Sequence, residues 1–139
     1  MRRFALTDFV GTWSVARTIA DHLGGPDGQF IGTARFEPSG DGVSYHETGS
    51  LTLGEHPAFH AERRYYWRQV GELISVFFED GRPFHSFDPA HPTSSHWCDP
   101  DTYRVTYDLA DWPVWRSTWD VSGPRKAYKM VTTYTRSGS

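Results

Sequence analysis

Apolar and polar residues alternate with period two through most of the chain, and turn-forming clusters interrupt the alternation at short intervals. The pattern is clearest near the C-terminus. Tyr103, Val105, Tyr107 and Leu109 fall on one face of an extended segment, with Thr102, Arg104, Thr106 and Asp108 on the other. The next segment groups Trp115, Trp119 and Val121 opposite Arg116, Thr118 and Asp120. The last sets Tyr128, Met130, Thr132, Tyr134 and Arg136 against Lys129, Thr133 and Thr135. Three such strands joined by tight turns make an antiparallel meander. Earlier strands are predicted at 13–20, 29–37, 43–53, 59–68, 73–79, 83–87 and 95–99. Between them lie Gly24-Gly25-Pro26-Asp27-Gly28, Pro38-Ser39-Gly40-Asp41-Gly42, Gly54-Glu55-His56-Pro57 and Asp80-Gly81-Arg82-Pro83, where glycine supplies positive φ and proline presets φ.

About ten short strands would leave exposed edges in a flat sheet, so closure is the economical solution. The expected fold is all-β: a single antiparallel up-and-down β-barrel of about ten strands. A helical turn over 7–10, capped by Thr7, is expected to plug its base. Residues 1–139 form one domain, long enough to bury a core unaided.

Aromatic residues make up 16% of the chain, more than a core of this size needs. They predict either a pocket lined with rings or an aromatic face used in assembly, such as a homodimer. The net charge of −3 removes any general attraction to nucleic acid or anionic lipid, although Arg63, Arg64 and Arg68 lie among Tyr65, Tyr66 and Trp67. No apolar run is long enough to span a bilayer as a helix. Asp8 interrupts the N-terminal segment before an apolar stretch can develop, and Cys98 has no partner cysteine. No signal peptide and a cytoplasmic location are therefore expected.

Gly11-Thr12-Trp13 opens the first strand and Arg136 ends the last. On these residues the chain resembles the calycins, the superfamily of lipocalins and fatty-acid-binding proteins. That resemblance implies an arginine packed across the tryptophan at the barrel base. More narrowly, the chain resembles a bacterial family of unknown function, number 6314. The residues that carry this likeness are Gly32-x-Ala34-x-Phe36, Tyr45-x-Glu47-x-Gly49, the Arg64–Trp67 stretch, Phe78-x-x-Gly81-Arg82-Pro83-Phe84-His85, His96-x-Cys98-x-x-Asp101-x-Tyr103 and Val121-x-Gly123-Pro124-x-Lys126. It implies the fold and carries no activity with it.

Candidate chemistry falls in two places. Asp80 to Tyr103 gathers Arg82, His85, His91, His96, Cys98, Asp99 and Asp101. His85 or His96 with Asp101 could transfer protons in an isomerase, cyclase or hydrolase, with Arg82 receiving an anionic ligand group. His85, His96, Cys98 and Asp101 are alternatively a set of zinc ligands, and haem ligation by a histidine is a variant; no cofactor is the base expectation. The second place is the barrel lumen. If Trp13 points inward, so do Val15, Arg17 and Ile19, and on the third strand Val43, Tyr45, Glu47, Gly49 and Leu51 share a face. Arg17 and Glu47 would then need each other, water or a polar ligand, unless a bulge returns one to solvent.

The leading expectation is a barrel binding a small aromatic or amphipathic molecule in its interior. Arg17, Glu47, Tyr45, Tyr66, Arg82, Tyr103, Trp115 and Trp119 are its expected contacts, with Trp67 also facing the pocket. The alternatives are a small enzyme in the same cavity and an assembly module without a ligand. Free volume inside the barrel separates the first two from the third. His22, His46, His56 and His60 read as surface or turn residues, and Lys126 as a rim residue.

Overall fold

A computed structural model describes residues 4–90, 93–98 and 101–136, with backbone alone described for 93–98. Ten strands follow one 3-10 turn: β1 (Gly11–Asp21), β2 (Gly28–Ser39), β3 (Gly42–Leu53), β4 (Phe59–Val70), β5 (Leu73–Phe78), β6 (Pro83–Phe87), β7 (Thr93–Cys98), β8 (Asp101–Asp108), β9 (Trp115–Ser122) and β10 (Ala127–Arg136). They form one sheet in the order β6-β5-β4-β3-β2-β1-β10-β9-β8-β7, each pair antiparallel. This is the expected all-β, up-and-down barrel.

Closure differs from a fully sealed cylinder at one seam. β6 and β7 lie side by side, yet no ladder joins them among the described residues. β6 has five residues, begins with Pro83, which lacks an N–H, and pairs with β5 across a register shift at Val76/Phe77. Side chains close the seam instead. Phe87 stacks on Tyr107 of β8 with ring centroids 3.9 Å apart, and His85 Nε2 lies 2.8 Å from the Tyr107 hydroxyl.

The period-two pattern is realised as burial. Trp13, Val15 and Arg17 on β1, Val43, Tyr45 and Glu47 on β3, and Met130, Thr132 and Tyr134 on β10 all point into the lumen. The base is stoppered by rings. Phe9 packs its ring 5.1 Å from Trp115, 5.0 Å from Trp112 and 5.5 Å from Trp67. Trp13 Nε1 donates to the Phe9 carbonyl at 2.8 Å, which fixes the turn against the barrel floor. Arg136 lies 3.9 Å above the Trp13 ring and donates to the carbonyls of Val10 and Asp8, at 3.0 and 2.8 Å. That is the clamp the calycin likeness implied.

The 3-10 turn spans Leu6–Phe9, one residue earlier than expected, and Thr7 does not cap it. The Asp8 carboxylate accepts the Ala5 N–H instead, at 2.8 Å, and the Leu6 N–H reaches Gln69 Oε1 on β4 at 2.8 Å. Those two bonds satisfy two of the N–H groups that the start of the turn leaves without partners within it.

Glycines thin the wall beside the lumen. Gly32 of β2 pairs with Gly49 of β3, and the Phe30 ring covers the gap they leave. A Cβ on Gly32 would fall 2.1 Å from the Thr48 carbonyl oxygen and 2.9 Å from the Phe30 ring. Gly32→Ala is therefore expected to destabilise the domain by about 2–3 kcal/mol through forced displacement of backbone and of Phe30. Urea unfolding checks this; a loss under about 0.5 kcal/mol would mean the two strands separate freely there.

Candidate functional site

Above the aromatic base, the lumen holds a polar network that touches every side of the wall near β1. Arg17 donates from Nη1 and Nη2 to the two Glu47 oxygens, at 2.8 and 2.6 Å, and from Nε to Thr132 Oγ1 at 2.8 Å. The Tyr45 hydroxyl adds a third bond to Glu47 at 2.5 Å and lies 3.0 Å from the Tyr134 hydroxyl. Arg17 is 6% exposed and Glu47 1%, so the pair is desolvated. Alternation places both inward, and the β1–β10 register sets Arg17 opposite Thr132. The Phe30 ring, spread over the two glycines, lies 5.1 Å from the Arg17 guanidinium.

This geometry decides the ionisation states. Burial alone would raise the Glu47 carboxyl, but the hydrogen bonds and charge of Arg17 and the Tyr45 hydroxyl outweigh it and hold it below its ordinary value. Arg17 is disfavoured by burial, yet its bonds and charge interaction with Glu47 raise it overall, so it stays protonated. Burial first, and then the charges of Tyr134 and Glu47, push the Tyr45 phenol well up. Tyr45 is therefore a fixed donor, and Glu47 a fixed acceptor.

A small cavity adjoins this network. Arg17, Tyr45 and Glu47 bound it below, with Arg63, Tyr65 and Trp119 toward the open end and His85 with Tyr107 at the seam. Its free volume is about 20 Å³, room for about one water molecule. Beside the network, the described side chains therefore leave room for water and not for an aromatic ring. Partly exposed rings lie higher, at the mouth, around a buried phenylalanine. There Phe84 sits among Phe78, Tyr103 and Trp119, with ring centroids 4.6, 5.6 and 5.2 Å away. Tyr65 stacks beside Phe84 at 6.1 Å, and Arg63 lies 5.6 Å above the Trp119 ring.

The structure sorts the expected contacts. Arg17, Glu47, Tyr45 and Trp119 line the cavity, as does Trp67. Tyr103 stands at the rim, where its hydroxyl accepts from Lys126 Nζ at 3.3 Å. Tyr66 does not face the lumen: adjacent residues on a strand point to opposite faces, and Tyr65 takes the inward place. The Tyr66 hydroxyl instead donates to the Ser39 carbonyl, 2.5 Å away, and to Asp41 Oδ1 at 3.0 Å on the outer surface. Trp115 is part of the base, stacked on Tyr134 at 3.8 Å and 7°. Arg82 is 73% exposed and held by Asp80 at 2.7 Å, over the Phe78 ring on the outer lip.

The acid–base pair is not assembled from His85 and Asp101. His85 meets Tyr107 in the lumen, whereas Asp101 begins β8, six residues away along the strand, a separation of about 20 Å. Asp101 binds Lys126 at 3.1 Å, an ion pair that raises Lys126, and closes on Gly123, where a Cβ would meet its carboxylate at 2.1 Å. The side chains of His96 and Cys98, with His91 and Asp99, lie outside the described residues. Among the described residues no three His, Cys, Asp or Glu side chains converge to hold a metal.

Arg63 is the site residue that the sequence reading placed only in a basic–aromatic cluster. It is half-buried, it shares the inward phase of Tyr65 and Trp67, and it pairs in register with Glu47. Extending the alternation of β4 back from Trp67 would have found it.

Fold and lumen together define an antiparallel up-and-down β-barrel, filled by rings at one end and lined with polar and aromatic groups toward the other. The chain belongs to a family of unknown function, DUF6314, whose model matches residues 9–136. Among solved structures it is similar to the S-type phycobiliprotein lyase CPES from Guillardia theta, with a TM-score of 0.67 and 8% identity over 96% of this chain and 91% of that one. At that identity the likeness concerns the fold. No curated protein matches the sequence.

Proposed function

We propose that the protein binds a small aromatic or amphipathic molecule at the mouth of its barrel, above the Arg17–Glu47 network. One observation carries the reading. Tyr65, Phe78, Tyr103 and Trp119 are only partly covered at this end, next to a cavity with a buried polar floor, while at the opposite end Phe9, Trp13 and Trp115 are fully buried against one another. A core closed for stability alone has no need of a desolvated ion pair beside free volume, because such a pair stabilises less than well-packed hydrocarbon. Partly exposed rings give a guest apolar contact at little conformational cost.

A neutral, polarity-sensitive dye such as N-phenyl-1-naphthylamine tests this directly. Its emission is expected to rise on titration, and Trp119→Ala is expected to weaken binding about tenfold, the loss of about 1.4 kcal/mol of ring contact. Circular dichroism establishes that the variant is folded. Unchanged emission of both this dye and its anionic relatives with folded protein, together with no small molecule retained in native mass spectra of protein from its host, would defeat the proposal.

A further inference from the structure

We infer that the ligand of this mouth is an organic monoanion, a planar aromatic body carrying a carboxylate or sulfonate group that Arg63 receives. The inference rests on the binding reading above and deepens it.

The charge census of the inward-facing groups is the starting point. Glu47 stands between two guanidinium groups, Arg17 on β1 and Arg63 on β4. Its two oxygens are occupied by Arg17 and Tyr45, and the positive charge of Arg63 acts on it without a direct ion pair. At the rim, Lys126 is matched by Asp101, and on the lip Arg82 is matched by Asp80. Among the described residues no carboxylate lies within ion-pair distance of Arg63. Glu79 and Asp80 border the outer groove that Arg63 also lines, with Asp80 engaged by Arg82. Among the described residues one positive charge is left over at the cavity.

That charge is half-buried, and its donors are little used. Arg63 Nη2 reaches Met130 Sδ at 3.8 Å, a weak acceptor, and the Tyr65 hydroxyl is its other hydrogen-bond partner, which leaves most of the five N–H donors for a ligand. A guanidinium carries five N–H donors in a planar fork shaped for an oxyanion. Held over Trp119 and partly shielded from water, it attracts an anion more strongly than an exposed arginine does. The surroundings select the rest of the guest. Trp119 and Tyr65, both partly exposed, flank the fork with their rings, so the same visitor gains apolar contact and a charged anchor. An inorganic oxyanion would gain only the second.

The test uses the intact chain and two dyes of nearly the same shape, anionic 1-anilinonaphthalene-8-sulfonate and neutral N-phenyl-1-naphthylamine. The wild type is expected to bind the sulfonate at least about tenfold more tightly, the effect of roughly 1.5–3 kcal/mol from one charge-assisted bond to a half-shielded cation. Arg63→Gln is expected to abolish that preference, read as the ratio of the two affinities in a variant shown to be folded by circular dichroism. Raising ionic strength on the wild type, a readout needing no variant, should weaken the sulfonate alone. Equal affinity for both dyes, or a preference that survives Arg63→Gln, overturns the assignment. Displacement of the sulfonate by millimolar inorganic phosphate overturns its aromatic half. If neither dye binds, the mouth-binding reading itself has failed.

Discussion

Glu47→Leu is expected to destabilise the domain by about 3–5 kcal/mol, enough to unfold a substantial fraction of a barrel this size. The carboxylate is the counter-charge of a 6%-exposed arginine, and without it Arg17 keeps one hydrogen bond, to Thr132, for a fully desolvated cation. Removing both charges reverses the sign of the argument. The double variant Arg17→Met/Glu47→Leu exchanges an ion pair for hydrocarbon of similar volume and is expected to recover most of the loss, while Tyr45 and Tyr134 still bond to each other. Denaturant unfolding of the two singles and the double gives the coupling directly. A double variant as unstable as the singles would show that the network holds the barrel together by more than charge balance.

The same carboxylate sets an acid limit. Its folded pKa lies below its ordinary value of 4.5, so the unfolded chain takes up the proton first as pH falls. Stability from Glu47 is complete above about 4.5 and is lost progressively below it. Wild-type melting temperature is expected to fall steeply below that point, and the double variant to fall less. Parallel acid profiles for the two proteins would place the sensitivity elsewhere.

Trp115→Ala is expected to cost about 3–5 kcal/mol, the range for truncating a large ring in a closed core. Trp115 is fully buried, lies flat on Tyr134, and meets Phe9 and Trp13 edge-on at 5.1 and 5.7 Å. Trp115→Phe is expected to cost only about 1–2 kcal/mol, because stacking survives and no hydrogen bond is lost: among the described residues the indole N–H has no acceptor. Trp13 is the contrast, since its indole bonds the Phe9 carbonyl and a phenylalanine there would strand that group. Thermal melts of the three variants decide between volume and hydrogen bonding as the source of cohesion at the base.

The period-two alternation carried the architecture, because strand faces and turn residues are local properties of the chain. It also brought Arg17 and Glu47 into one lumen, since a desolvated charge has few ways to be satisfied. Depth along the barrel was less legible. Whether Trp115 lies in a pocket or a floor depends on how neighbouring strands are staggered, a non-local quantity fixed only when β9 pairs with both β8 and β10. Proximity in sequence also misled. His85 and Asp101 are crowded among other polar residues, yet one projects into the lumen at the seam and the other ends at Lys126. Tyr66 was misplaced by a single residue of phase, and the same slip hid Arg63.

The aromatic stopper at the base has a kinetic consequence. A molecule bound at the mouth, as proposed, would arrive and depart past the same few rim side chains, because rings fill the base. Truncating Trp119 should raise the departure rate more than the arrival rate and shorten residence time, whereas changes beneath the floor should leave exchange kinetics alone.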